Sequence, residues 1–340
     1  MTTTTDAEPW RSRWMRRAVT IPIMLGATAA ALVTLPLTLP LAVVADLVRL
    51  RLRFPTVRVI LFVVQYGIND SAEIFLAPLY WALAGFGTRL GSPASMQRHE
   101  RLQAWSLRVL AHRAEHLLGL RVDIDADAAQ LLAPGPVIVL CRHVSIMDTS
   151  LPGLLYQRIG FRTPGVIMAE LLADPGFDLL YGRTGSVFIP RHNGPVARQQ
   201  IAELSNRVDP LTAVVIFPEG QLFRPDRLQR SLARLAERDP ARAEAMQGLR
   251  HVLPPRPGGV LALLDTVPAA DVVVMAHAGL DDYPAFRDLA RAVPLRRPVA
   301  VTAWRTAAAD IPADPQPRTT WLDDQWRRVD AWVAQRSTGP

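Results

Sequence analysis

The chain has 340 residues, 49% of them hydrophobic, which is enough for one large domain with an appended segment or for two smaller domains. Its net charge is +7 and no lysine occurs anywhere, so a Schiff-base lysine, a lysine-linked pyridoxal cofactor and a Walker-type phosphate loop are all excluded. The arginines are scattered, with no basic helix or aromatic-interleaved motif to suggest nucleic acid, and the single Cys141 excludes a disulfide framework and a four-cysteine zinc site.

In chain order, Met1 to Glu8 reads as a disordered, threonine-rich tail. Arg11, Arg13, Arg16 and Arg17 follow, and then a charge-free stretch from Ala18 to Ala45, about 28 residues and long enough to cross a bilayer. It is too long for a signal-peptide core and lacks a convincing cleavage site, so it reads as a retained anchor. Pro22, Pro36 and Pro40 interrupt it, which leaves a bent span or a re-entrant hairpin open. A second apolar region, Val59 to Phe86, contains Asn69, Asp70 and Glu73. It reads either as a second span with buried polar residues or as two interfacial helices. Arginine clusters flank both regions and lie between them, so charge counting leaves the number of crossings open.

From His99 to Leu120, apolar residues recur at roughly helical spacing beside arginines, as in an amphipathic helix. Beyond it, strand-like runs at Arg121 to Asp125, Val137 to Cys141, Val166 to Ala169, Val187 to Ile189, Ala213 to Phe217, Asp271 to Ala276 and Val299 to Trp304 alternate with helical stretches. Two of these helical stretches are Val196 to Val208 and Arg227 to Gly248. The expected fold is α/β: a mixed, mostly parallel sheet of about seven strands covered by helices, with an N-terminal hydrophobic anchoring segment. The expected organisation is a tail at 1–17, an anchoring region at 18–98 and a soluble domain at 99–340, with no linker that clearly splits Arg121 to Pro340.

Chemistry concentrates after the strand Val137 to Cys141, where Arg142-His143-Val144-Ser145-Ile146-Met147-Asp148 enters a helix that Ser145, Asp148 and Thr149 suit as a start. His143 and Asp148 then stand about one turn apart, so the carboxylate can orient the imidazole and leave its other nitrogen as a general base. Two further strand ends carry charge: Val187-Phe188-Ile189-Pro190-Arg191, and Phe217-Pro218-Glu219-Gly220 with Arg224 and Arg227 beyond. In a parallel sheet these ends share an edge with His143. Taken alone, Glu219 reads as a turn residue, Arg256 as structural, and His277 as a core or rim histidine. Cys141 is two positions before His143, but its apolar run marks it as a small buried hydrophobe. No third ligand completes a metal pattern around His143 and Asp148.

These blocks resemble the lysophospholipid acyltransferase superfamily, which includes the glycerol-phosphate and lysophosphatidic-acid acyltransferases. The resemblance runs over about Arg121 to Gly279 and rests on His143 to Asp148 as the His-x4-Asp block, Val187 to Arg191 as the second, Phe217 to Gly220 as the third and Asp271 to Leu280 as the fourth. The third block departs from the usual Thr-Arg continuation, reading Gln221-Leu222-Phe223-Arg224, which shifts the expected anion-binding arginine to Arg224. The fourth lacks its usual proline at Met275-Ala276-His277 and is assigned no role. Leu253 to Gly259 looks like a segment of the branch that reacylates lysophospholipids.

The resemblance implies an acyltransferase catalytic domain with His143 as base and Asp148 as its partner. Ser145, Arg191, Phe217, Pro218, Glu219, Gly220 and Arg224 would bind substrate, the arginines on the acceptor's phosphate. Backbone amides near Val144 and Ser145 are candidate oxyanion donors. No metal or cofactor is implied; acyl-CoA or acyl carrier protein would be the co-substrate, and a glycerol-phosphate or lysophospholipid the acceptor. The expected location is the cytoplasmic membrane, with the catalytic domain facing the cytoplasm. Other classes remain open: a thioesterase or lipid hydrolase using the same His–Asp pair, and a non-catalytic protein that binds anionic lipid.

Overall fold

In the computed structural model the described residues are 9–125, 135–190, 194–205 and 208–337. The expectations for the N-terminal tail and for Arg191 fall outside them. The chain divides into two compact units: Met1–Arg121 with Ile167–Asn193 and Ala290–Arg296, and Val122–Val166 with Gly194–Leu289 and Arg297–Pro340.

The first unit is mainly helical. Helix α1, Trp10–Val48, runs straight through Pro22, Pro36 and Pro40, so the first apolar stretch is one long helix and no re-entrant hairpin. Each proline removes one backbone donor without ending the helix. Asp46, buried near the end of α1, accepts from the backbone N–H of Thr56 at 2.9 Å and from its hydroxyl at 2.7 Å. That carboxylate satisfies open amides at the start of α2, Pro55–Leu83, and so fixes the turn between the two helices. The helices approach closely where Gly67 faces Thr28; a Cβ at 67 would lie 2.5 Å from the threonine Oγ1. Both α1 and α2 are long and apolar enough to cross a membrane.

Asn69, Asp70 and Glu73 are all buried within α2. Asn69 donates to the hydroxyl and carbonyl of Ser106 on α3, Pro93–Arg113, at 2.8 and 3.1 Å. The amphipathic stretch expected over His99 to Leu120 is α3 together with a wide turn at Ala114–Leu118.

Among the described residues seven strands form: β1 Val122–Ile124, β2 Val137–Cys141, β3 Val166–Met168, β4 Val187–Ile189, β5 Ala213–Ile216, β6 Asp271–Ala278 and β7 Val299–Thr306. Five build one sheet in the order β1-β7-β6-β2-β5. β2 is parallel to both neighbours, with Leu140 opposite Ile216 on β5 and Val274 on β6. In this sheet β1 is parallel to β7, and β6 is antiparallel to β7. All five residues of β2 and all four of β5 are buried, as parallel strands covered on both faces require and as their unbroken apolar runs foretell.

β3 and β4 form a two-stranded ladder. The strand of the second block takes β3 as its partner.

The remaining helices are α4 Leu151–Arg158, α5 Gly194–Ser205, α6 Pro225–Arg238, α7 Pro240–Met246, α8 Pro257–Thr266, α9 Phe286–Ala292 and α10 Pro315–Ser337. The single helix expected from Arg227 to Gly248 is broken at Asp239. That residue accepts the Arg242 N–H, and Pro240 opens α7. In the second unit, α10 buries Leu322, Trp326, Val329 and Val333. Its Asp323 grips Arg242 at 2.6 and 2.7 Å, and its Asp330 accepts the N–H groups of Arg250 and His251 at 2.9 and 2.6 Å. These contacts hold the segment from 242 to 256 in place beside the sheet.

Candidate active site

Because β2, β5 and β6 point the same way, their C-terminal ends meet at one edge of the sheet. β2 delivers Arg142 and His143 there, β5 delivers Phe217 to Gly220, and β6 delivers His277. A buried parallel strand cannot continue into solvent, so each chain turns at this edge, and the polar side chains gather on the turns.

After His143 the chain enters a short 3₁₀ turn, Ile146–Ser150, capped by Ser145. The Ser145 hydroxyl accepts the Met147 N–H at 3.2 Å and donates to the Tyr283 carbonyl at 2.5 Å, while Asp148 reaches back to close the capping box. Buried and engaged in this way, Ser145 shapes the loop.

Asp148 is fully buried. Its Oδ1 accepts from His143 Nδ1 at 2.7 Å. Its Oδ2 accepts the backbone N–H groups of Val144 at 2.6 Å and Ser145 at 2.8 Å. Those two amides were the expected oxyanion donors; they point instead at the carboxylate, since an ionised acid at a turn start takes up the nearest open N–H groups. Burial alone would raise the Asp148 carboxyl, but the imidazoles of His143 and His277 outweigh it and hold the group well below the usual carboxylate range.

His143 is 19% exposed, and its Nδ1–H is committed to Asp148, so Nε2 is the nitrogen left for a proton. The Phe217 ring lies beside the imidazole, centroids 4.5 Å apart and tilted by 38°.

The third block grips the His143 main chain from two sides. Glu219 Oε1 accepts the His143 N–H at 3.0 Å, and the His143 carbonyl accepts the Phe223 N–H at 2.7 Å. The second oxygen of Glu219 accepts the Leu253 N–H at 2.9 Å. Both oxygens are engaged by backbone within the protein, so Glu219 joins three segments. Burial pushes its carboxyl up to about 7, against the pull of those two amides and the nearby Arg142.

Pro218 accepts the Arg256 N–H at 2.8 Å, and Gly220, at φ +66, closes a turn on the Phe217 carbonyl at 3.0 Å. A Cβ on Gly220 would come within 3.2 Å of the Arg256 side chain. The Leu253 to Gly259 segment is thus packed directly against the third block. Arg224, one residue past Phe223, is 54% exposed and lies 3.5 Å from Asp226.

Two residues assigned no role from the sequence are central here. Arg142 is fully buried; it donates to the carbonyls of His277 at 2.8 Å and His251 at 2.8 Å, and pairs with Asp281. It ties β2, the 251 segment and the turn after β6 together. His277 is also fully buried, with Nε2 3.1 Å from the Arg142 carbonyl and 3.4 Å from Asp148 Oδ2. An arginine directly after five apolar strand residues was a readable signal for the first. The second had none, since a histidine in an apolar strand is ordinarily core. Cys141 is completely buried, and burial pushes its thiol far above its ordinary value, which removes it as a nucleophile. Among the described residues, no group of three or more His, Cys, Asp or Glu side chains is placed to hold a metal ion.

A buried carboxylate bonded to one nitrogen of a part-exposed imidazole defines a proton-accepting centre, and residues 123–260, which contain it, match the family model described as Acyltransferase. That match spans the first three of the four blocks that resemble the lysophospholipid acyltransferase superfamily. Among solved structures it is similar to the 1-acyl-sn-glycerophosphate (LPA) acyltransferase PlsC from Thermotoga maritima. That similarity has 14% identity and a TM-score of 0.48, covering 80% of this chain and 99% of the other. No curated protein matches it.

Proposed function

We propose that the protein is a membrane-associated O-acyltransferase that moves a fatty acyl group from a thioester, acyl-CoA or acyl carrier protein, to a hydroxyl of a glycerol-phosphate or lysophospholipid. The observation that carries this reading is the 2.7 Å contact from His143 Nδ1 to Asp148 Oδ1, within a domain that matches the acyltransferase family.

In the proposed reaction the acceptor hydroxyl oxygen attacks the thioester carbonyl while His143 Nε2 takes its proton. The tetrahedral intermediate collapses, the C–S bond breaks, and the departing thiolate receives the proton from His143. An ester and a free thiol result. Asp148 keeps the imidazole turned correctly and stabilises the charge it transiently holds. General-base help of this kind is worth about 10²- to 10⁴-fold, so positioning in a dry site supplies much of the remainder.

Arg224 supplies a guanidinium for the acceptor's phosphate, and Arg191 is proposed as its companion. The length and apolar character of α1 and α2 support attachment to the bilayer that holds the acceptor. The test is acyl transfer by the purified protein from one acyl-CoA to a panel of lysophospholipids and glycerol phosphate. Acyl release that needs no acceptor would assign the His143 and Asp148 pair to a thioesterase instead.

A further inference from the structure

We infer that His277 is a positioning residue of the reaction: it is the second imidazole on Asp148, and it locks that carboxylate in the rotation that presents Oδ1 to His143. The inference rests on the acyl-transfer reading for its consequences and on geometry for its origin.

The two oxygens of Asp148 have different surroundings. Oδ1 faces His143 Nδ1 at 2.7 Å. Oδ2 faces three donors: the Val144 N–H at 2.6 Å, the Ser145 N–H at 2.8 Å, and His277 Nε2 at 3.4 Å. The two amides belong to the same loop as Asp148 and move with it. His277 belongs to β6, which pairs with β2 over Asp271–Met275, so of the three groups facing Oδ2 it is the one carried by the sheet.

The tautomer follows from the neighbours. Nε2 lies 3.1 Å from the Arg142 carbonyl and 3.4 Å from a carboxylate oxygen, both acceptors, so Nε2 carries the hydrogen. Nδ1 is buried and has no hydrogen-bond partner among the described residues. An orphaned buried nitrogen destabilises a fold. Its neighbours on β6 are Val274, Met275, Ala276 and Ala278, and an apolar residue at 277 would avoid the penalty. The histidine is therefore explained by what Nε2 does and not by packing.

The charged and titratable groups around this pair are His143, Arg142, Asp281, Glu219 and the buried thiol of Cys141. Arg142 is held by Asp281 and two carbonyls, so it does not substitute for His277 on Asp148. Removing His277 leaves more of the carboxylate's charge to His143, which favours the protonated imidazole and withdraws the free base at low pH.

The experiment compares wild type, His277→Leu and His277→Gln in the full-length protein. Gln places an N–H donor near the position of Nε2; Leu fills the space without one. With acyl-CoA and a lysophospholipid, His277→Leu is expected to lower kcat about tenfold, as loss of an outer partner does. KM should change little, the acid limb of the kcat/KM profile should move to higher pH, and His277→Gln should restore most of the rate. In the Asp148→Asn background the Leu substitution should have no further effect. In parallel, the proton between His143 and Asp148, assigned by its loss in His143→Ala, is read by NMR and should move in His277→Leu whether or not turnover is detected. Wild type without acyl transfer would defeat the functional reading alone. An unmoved proton resonance, or a folded His277→Leu protein with wild-type kcat and acid limb, would overturn the role given to His277.

Discussion

Glu219 accepts the backbone N–H of His143 at 3.0 Å, so the turn after β5 holds the main chain of the very residue whose imidazole faces Asp148. Its other oxygen holds Leu253. Replacing Glu219 by Gln puts an amide NH₂ where one of the two N–H donors needs an acceptor, and a buried donor left unmet costs about 1–3 kcal/mol. We expect Glu219→Gln to lower the midpoint of thermal unfolding and to reduce acyl transfer at least about tenfold. The pH dependence of its stability carries a second signature. With its carboxyl raised from 4.5 to about 7, folded Glu219 holds its proton more tightly than the unfolded chain does. Its contribution is therefore present below pH 4.5 and lost as pH rises towards 7, on the order of 3 kcal/mol in total. Denaturant titrations across pH 4.5 to 7 should show that loss in wild type and its absence in Glu219→Gln.

Asp148→Asn keeps the size of the side chain but loses the charge that orients His143. By analogy with other His–Asp pairs, turnover should fall about 10³-fold or more while the fold persists. The stability profile has the opposite sign to that of Glu219. A carboxyl held below its ordinary value contributes stability above about pH 4, lost as pH falls further, and the Asn variant should lack this acid-labile share. Denaturant titration between pH 2 and 5, read beside turnover, checks both.

Arg142 joins three segments through one fully buried guanidinium. Arg142→Met would leave two carbonyls unpaired and Asp281 without its cation, a loss of about 3–5 kcal/mol for a broken buried pair. Arg142→Lys should recover only part of this, because a single ammonium does not reproduce the planar fork. Chemical denaturation of the three proteins ranks them directly.

How far the sequence foretold this arrangement depends on the range of the interaction. Unbroken apolar, β-branched runs placed β2 and β4 to the residue and gave β5 and β6 with short errors at the ends, because a strand buried on both faces leaves a local pattern. Pairing is not local: nothing in Val187 to Ile189 says that its partner is Val166 to Met168 and not β2. The prolines of α1 read as interruptions, yet a long helix tolerates the loss of single hydrogen bonds. His143 and Asp148 were legible because they sit five residues apart. His277 is far from both in sequence and meets Asp148 only through the pairing of β6 with β2, so spacing gave no hint of it. The same holds for the Val144 and Ser145 amides, whose direction is set by a side chain that the turn folds back upon them.

Gly220 sits at φ +66, where a side chain is strained, and its missing Cβ leaves room for Arg256. Gly220→Ala should destabilise the protein by about 1–2 kcal/mol and loosen the turn that carries Glu219. A thermal melt gives the first effect; a loss of acyl transfer larger than the change in stability explains would show the second.

The central claim is that His143 takes the acceptor's proton. The most direct measurement is turnover of wild type and His143→Ala, both verified as folded, with one acyl-CoA and a saturating lysophospholipid acceptor. The account predicts a fall of at least about a hundredfold in the variant, with acceptor binding retained. Equal turnover in the two proteins would contradict it.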